Sequence, residues 1–175
     1  MSRKLLTVAA LAVFALPLAT TTAHAQMGYG VAAGLSAPMG TFGNGVSSGY
    51  HLTGLVNFAA PLAPVGFRGE ISFNQFGAKG ASNVKANILS GTANAVVSAP
   101  GMMGIYGIGG LGLYRNSVSC TGCSSNSTTN VGFNAGAGFK FGLSGFAAFV
   151  EARYHHVSTS GGSTAFVPIS FGLLF

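Results

Sequence analysis

The chain has 175 residues, but only 6% are Asp, Glu, Lys or Arg, against roughly a quarter in an ordinary soluble domain. There is no Asp, and the only acids are Glu70 and Glu151, so a charged, water-facing surface all round is excluded. The formal charge of +6 does not signal a nucleic-acid partner: Arg3 and Lys4 supply two of it, leaving +4, and the other cations, Arg68, Lys79, Lys85, Arg115, Lys140 and Arg153, are scattered along the chain.

The first element is a leader. Arg3 and Lys4 precede an apolar run from Leu5 to Leu18, and the small-residue stretch Ala23-His24-Ala25 follows. Positive, apolar and A-x-A segments in that order predict a secretory signal peptide over 1–25, cleaved before Gln26. The run is too short for a confident membrane span, and no cysteine stands at the cleavage site to suggest a lipoprotein. The remainder, 26–175, is long enough for one domain.

After the leader the hydrophobic period is two. In Phe67 to Asn74, Arg68, Glu70, Ser72 and Asn74 share one face while Phe67, Ile71 and Phe73 share the other. Val131 to Phe141 repeats the pattern, with Gly, Asn134 and Lys140 opposite a continuous apolar face. Extending it predicts strands near 27–36, 49–58, 65–76, 84–98, 102–115, 130–141, 145–157 and 165–175. The uncharged stretch from Val96 to Tyr114 is long enough for a membrane helix, but Pro100 and six glycines argue against one. Connections at Ala59 to Pro64, Ser98 to Gly101 and Gly142 to Gly145 are short. Those after the odd-numbered strands, including Arg115 to Asn130, are mostly long and polar.

Eight strands, an even count with alternating connections, predict an all-β fold: a closed, antiparallel, up-and-down transmembrane β-barrel. Closure satisfies every strand edge, as hydrocarbon demands. Because charge in lipid is costly, the Phe and Val faces should meet lipid. Glu151, Arg153 and His155 then turn inward beside Arg68 and Glu70. Strands three and seven oppose each other in such a barrel, so Arg68, Glu70, Glu151 and Arg153 should form a charge network in the lumen. It either neutralises buried charge or gates a narrow pore.

Other motifs carry less. Cys120 and Cys123 sit in a predicted outer loop, in a compartment that allows disulfides, and a local loop disulfide is expected. A thioredoxin-type role lacks its βαβ context, and metal binding would have to recruit His155 and His156; no metal or cofactor is expected. Gly107 to Gly112 spells G-x-G-x-x-G, yet a polar loop rather than a helix follows, so the glycines are expected to leave space in the lumen.

The stretches Gly145 to His156, GFAAFVEARYHH, and Phe166 to Phe175, FVPISFGLLF, resemble the small outer-membrane barrel domains that include the OmpA-like and opacity-type barrels. The resemblance covers all of 26–175 and implies residence in the bacterial outer membrane, among its lipid and lipopolysaccharide, without catalysis; separately, a monomer is expected. Val167, Ile169, Phe171, Leu173 and Phe175 resemble the C-terminal signal of such barrels, which implies barrel-assembly machinery and periplasmic chaperones as partners. His156-Val157-Ser158 is similar to the site of lipid A deacylase barrels, but no acid follows Ser158 and Thr159 stands where that family has Asn. The expected function is therefore a noncatalytic envelope-structural or loop-displaying barrel, with a narrow pore and a lipid A esterase as alternatives and a soluble ligand-carrying barrel more distant.

Overall fold

Strict alternation along each strand gives every strand one outward apolar face and one inward face of mixed chemistry, and the sheet closes around the latter. The computed structural model describes residues 26–59, 65–80, 84–98, 104–120, 127–159 and 161–175; the expected leader lies outside them. The elements are β1 (Gln26–Met39), α1 (Gly40–Gly45), β2 (Gly49–Ala59), β3 (Val65–Gly77), β4 (Val84–Ser98), β5 (Ile105–Cys120), β6 (Ser127–Leu143), β7 (Phe146–Thr159) and β8 (Gly162–Leu174). All neighbours are antiparallel, and β1 pairs with both β2 and β8, so the barrel is closed in chain order. Reciprocal backbone bonds between Tyr29 and Phe175, at 2.8 and 3.1 Å, finish the seam. No helix among the described residues is long and apolar enough to cross a membrane.

Two sequence expectations need correction. Most strands run longer than expected, to 16 residues in β5 and 17 in β6, although β4 keeps its expected bounds of 84–98. The supposed long loop from Arg115 to Asn130 is mostly ladder: Ser117 pairs with Ser127 and Arg115 with Thr129. The connections after β3 and β7 shrink likewise, β8 beginning at Gly162. Serine, threonine and asparagine read as loop, yet antiparallel pairing continues in water when each backbone group keeps its partner. The connection after β1 instead holds the short helix α1, which opens at Gly40 with φ of 56°.

The inward side chains stack in layers. At the far end, away from the start of β1, Val46, Phe76, Ile88, Tyr114, Val157 and Phe166 form an apolar cluster, capped by Phe42 of α1 edge-on to Phe76 at 5.2 Å. At the near end Ala32, Leu55, Phe149 and Leu174 form a second. Polar and charged side chains fill the space between. Outside, Met27, Leu35, Leu52, Phe67, Ile71, Leu111, Val131, Ile169 and Phe171 are exposed, which in water would be an aggregation surface and in lipid is the solvated face.

Candidate functional site

The middle of the lumen holds two arginines and two glutamates, contributed in pairs by β3 and β7. Alternation puts Arg68 and Glu70 on the inner face of β3 and Glu151 and Arg153 on that of β7, all at most 7% exposed. Arg153 grips Glu70 through Nη1 at 2.6 Å and Nη2 at 3.0 Å, while Arg68 Nη1 donates to Glu151 Oε2 at 2.8 Å. Arg153 Nη2 also lies 2.8 Å from Glu151 Oε1, and Arg68 Nη1 lies 3.6 Å from Glu70 Oε1. Every charge therefore faces two of opposite sign, and the quartet is neutral. A lone ion there would carry a desolvation cost of several kcal/mol, which the pairing offsets.

Neutral groups complete it. Tyr106 donates its hydroxyl to Glu151 Oε2 at 2.7 Å, Asn57 accepts from Arg68 Nε at 2.8 Å, and Thr92 donates to Glu70 at 3.3 Å. The Arg68 guanidinium also lies 5.4 Å from the Tyr106 ring centroid and 5.3 Å from that of Phe149, within range of cation–π attraction. Small residues make the room: a Cβ on Gly138 would overlap the Tyr106 ring, and one on Gly136 would come within 2.7 Å of Arg153. Within the Gly107–Gly112 run, a Cβ on Gly112 would meet Thr92 at 2.6 Å and one on Gly110 would crowd Asn94.

Towards the far end a neutral layer follows. His51 bridges Ser36, at 3.2 Å, and Ser170, at 2.9 Å, and Ser36 donates to Asn74. Asn134 donates to Asn94, and Tyr114 meets His155 Nδ1 at 2.9 Å. A cavity of about 10 Å³ remains between His51, Glu70, Asn74 and Arg153, space for about one water molecule.

Sequence reasoning named the four charges and His155. It placed Asn134 on the polar face of its strand without giving it a role, and it missed Tyr106, His51 and Asn94. Tyr106 was recoverable from alternation alone, since it occupies an inward position; what hid it was the absence of charge.

The remaining sequence candidates lie elsewhere. Cys120 ends β5, and Cys123 lies outside the described residues. His156 and Ser158 point outward, with the buried Val157 between them pointing in. The His156 ring stacks on Phe133 at 5.2 Å, and its Nδ1 lies 3.4 Å from the Tyr154 hydroxyl. Both acids of the chain are in the quartet, so no carboxylate orients His156. Val167, Ile169, Phe171, Leu173 and Phe175 occupy the outward positions of the last strand, where the Phe175 ring packs near Phe146 and Tyr29.

A model of the outer membrane protein β-barrel domain family matches residues 6–175. The chain belongs to this family. This outer-membrane barrel also resembles solved structures at identities that speak for the fold alone. Neisserial surface protein A shares 13% identity over 85% of this chain and 95% of that one, with a TM-score of 0.59. Ail, the attachment invasion locus protein of Yersinia pestis, solved with the heparin analogue sucrose octasulfate, shares 16% over 86% and 99%, at 0.52. The N-terminal barrel domain of Pseudomonas aeruginosa OprF gives the same identity, coverage and score. No curated protein matches the chain in sequence. Family, fold and apolar outer wall together place the protein in the bacterial outer membrane as an integral eight-stranded barrel.

Proposed function

We propose that this barrel is a noncatalytic, non-conducting wall element of the outer membrane that supports the envelope and presents short strand tips at the cell surface. The observation carrying this reading is the filled lumen: a neutral Arg–Glu quartet between two apolar clusters. A pore for ions needs a hydrated path, whereas Phe76, Tyr114, Phe149 and Phe166 each have 1% or less of their surface exposed. Catalysis needs a nucleophile with an oriented base. His156 has neither Ser158 nor a carboxylate among its hydrogen-bond partners in the described residues.

Cleavage of 1–25, insertion by barrel-assembly machinery after escort by periplasmic chaperones, a monomeric state and a local Cys120–Cys123 disulfide belong to the same reading. The outward alternation of Val167 to Phe175 supports the assembly step, since a receptor reading a strand needs one accessible, regularly spaced face.

The test is single-channel recording of the refolded barrel in a planar bilayer, beside Glu70→Ala and Arg153→Ala variants. Silence from a demonstrably folded parent is expected. Discrete conductance that those substitutions alter would replace this reading with a gated pore. Release of fatty acid from lipopolysaccharide that Ser158→Ala abolishes would replace it with an esterase.

A further inference from the structure

The lumen is not filled to its far rim. Beyond the apolar cluster of that end, the inner faces of β4, β5, β6 and β8 and the ring of Phe42 enclose a cavity of about 280 Å³. Ala86, Ile88 and Phe42 give it an apolar surface, and Asn116, Thr128 and Thr164 a polar one. Val118, 49% exposed, also lines it, so the cavity meets water there. The wall that α1 supplies is tied down: Phe42 packs edge-on against Phe76, and Lys79 Nζ donates to the Gly43 carbonyl at 2.7 Å.

The polar side of the cavity is unfinished. Asn116 of β5 pairs in register with Thr128 of β6, and its Oδ1 is buried with no hydrogen-bond partner among the described residues. One inward position deeper on β6, Asn130 Nδ2 is buried without a partner in the same way. One of these atoms is an acceptor and the other a donor. A buried amide group left unpaired is costly, so this arrangement favours a molecule that supplies the missing partners. Charge plays no part: Lys85 and Arg115 adjoin Ala86 and Asn116 in the chain, and alternation turns both away to the outer wall. No charged side chain among the described residues lines the cavity.

A pocket with an apolar surface, a few polar groups and no charge selects an uncharged ligand. Its volume falls just below the roughly 300 Å³ at which ligand pockets usually begin, which limits that ligand to a single ring or short chain bearing one polar group. We propose that this cavity binds a small, uncharged amide from the surrounding water. The amide N–H donates to Asn116 Oδ1, its carbonyl accepts from the Thr128 hydroxyl and, beneath it, Asn130 Nδ2, and its apolar body lies against Phe42, Ala86 and Ile88. A turn of the Asn116 side chain, which already lines the cavity, brings its oxygen to the ligand. The site lies outside the Arg–Glu quartet and needs neither a closed lumen nor a noncatalytic barrel.

The experiment is NMR of the refolded, methyl-labelled barrel in lipid nanodiscs, titrated with N-benzylacetamide, with its ester analogue benzyl acetate and with the anion hydrocinnamate. The Ile88 and Val118 methyl signals of the parent should move saturably with the amide, while that of Val131, exposed on the lipid side, should not. The ester lacks the N–H and should bind roughly tenfold more weakly, as should the amide to Asn116→Leu, since each leaves one buried polar group unpaired. Hydrocinnamate brings a charge to a pocket that cannot pair it and should bind more weakly still. Ala86→Trp fills the cavity from β4 and should abolish binding, and heat-modifiable gel mobility shows that each variant is folded. Shifts that never saturate, or a Val131 signal moving in step with Ile88, would mean partition into lipid and would overturn the site, as would unchanged affinity in folded Ala86→Trp. Ester and amide bound equally, or Asn116→Leu binding as the parent does, would overturn the amide assignment.

Discussion

Arg153 holds both oxygens of Glu70 through two nitrogens, at 2.6 and 3.0 Å, across the interior of the barrel from β7 to β3. Such a bidentate fork fixes both distance and orientation between opposite walls, so the quartet acts as a cross-tie. Glu70→Ala should leave Arg153 with Glu151 as its one ion pair and a 3.5 Å hydrogen bond to Asn134. The expected loss is about 3–5 kcal/mol of stability, the range for breaking a buried pair. Urea unfolding in lipid vesicles measures it, and a Glu70→Ala, Arg153→Met double variant should lose less than the sum of the two single variants.

The glycines of β6 separate into positions that need the missing side chain and positions elsewhere that do not. Gly138→Val should displace Tyr106 and strip Glu151 of its hydroxyl donor, costing about 1–3 kcal/mol as an overpacked core does. Gly54→Ala, on the outer wall with nothing within 4 Å of its new Cβ, should be neutral or slightly stabilising. Similar effects at the two positions, measured by the same unfolding assay, would contradict the packing described for the lumen.

The lipid-facing assignment predicts a depth-dependent penalty. Leu111 is 66% exposed on the outward face of β5. Leu111→Arg should destabilise the barrel by about 2–4 kcal/mol in bilayers of ordinary thickness. An unchanged unfolding midpoint would place Leu111 outside the hydrocarbon.

Phe175 joins the seam through its backbone and the outer wall through its ring. Phe175→Ala should keep the reciprocal Tyr29 bonds and slow insertion several-fold in vesicles carrying reconstituted barrel-assembly machinery. In vesicles without the machinery the rate should hardly change. Equal slowing in both would assign Phe175 to packing alone.

Strand number, closure and the inward charges were legible because alternation needs only two kinds of residue, apolar and polar, and β3 and β7 supply both. Arg68 and Glu70, two positions apart, could only share a face. The strand tips were not legible: Ser117, Ser119, Ser127 and Thr129 have the composition of a loop, and only their partners across the ladder make them strand. Nor was the layering. Phe76, Phe149 and Phe166 sit on inward faces, where the rule that sends phenylalanine to lipid fails, because a narrow lumen needs bulk as well as polarity.

The quartet draws two members from each of two strands whose paired residues stand 83 positions apart in the chain. Until β7 is delivered, Arg68 and Glu70 have only each other, 3.6 Å apart on one strand. The three short ion pairs therefore form together, when β7 comes to face β3 with its own Arg and Glu. A sheet halted before that moment would face the bilayer with its most polar layer only loosely paired, which discourages it from settling there. The same four residues that hold the finished walls together thus also penalise the unfinished barrel, giving the folding reaction a direction that the apolar outer wall alone would not supply.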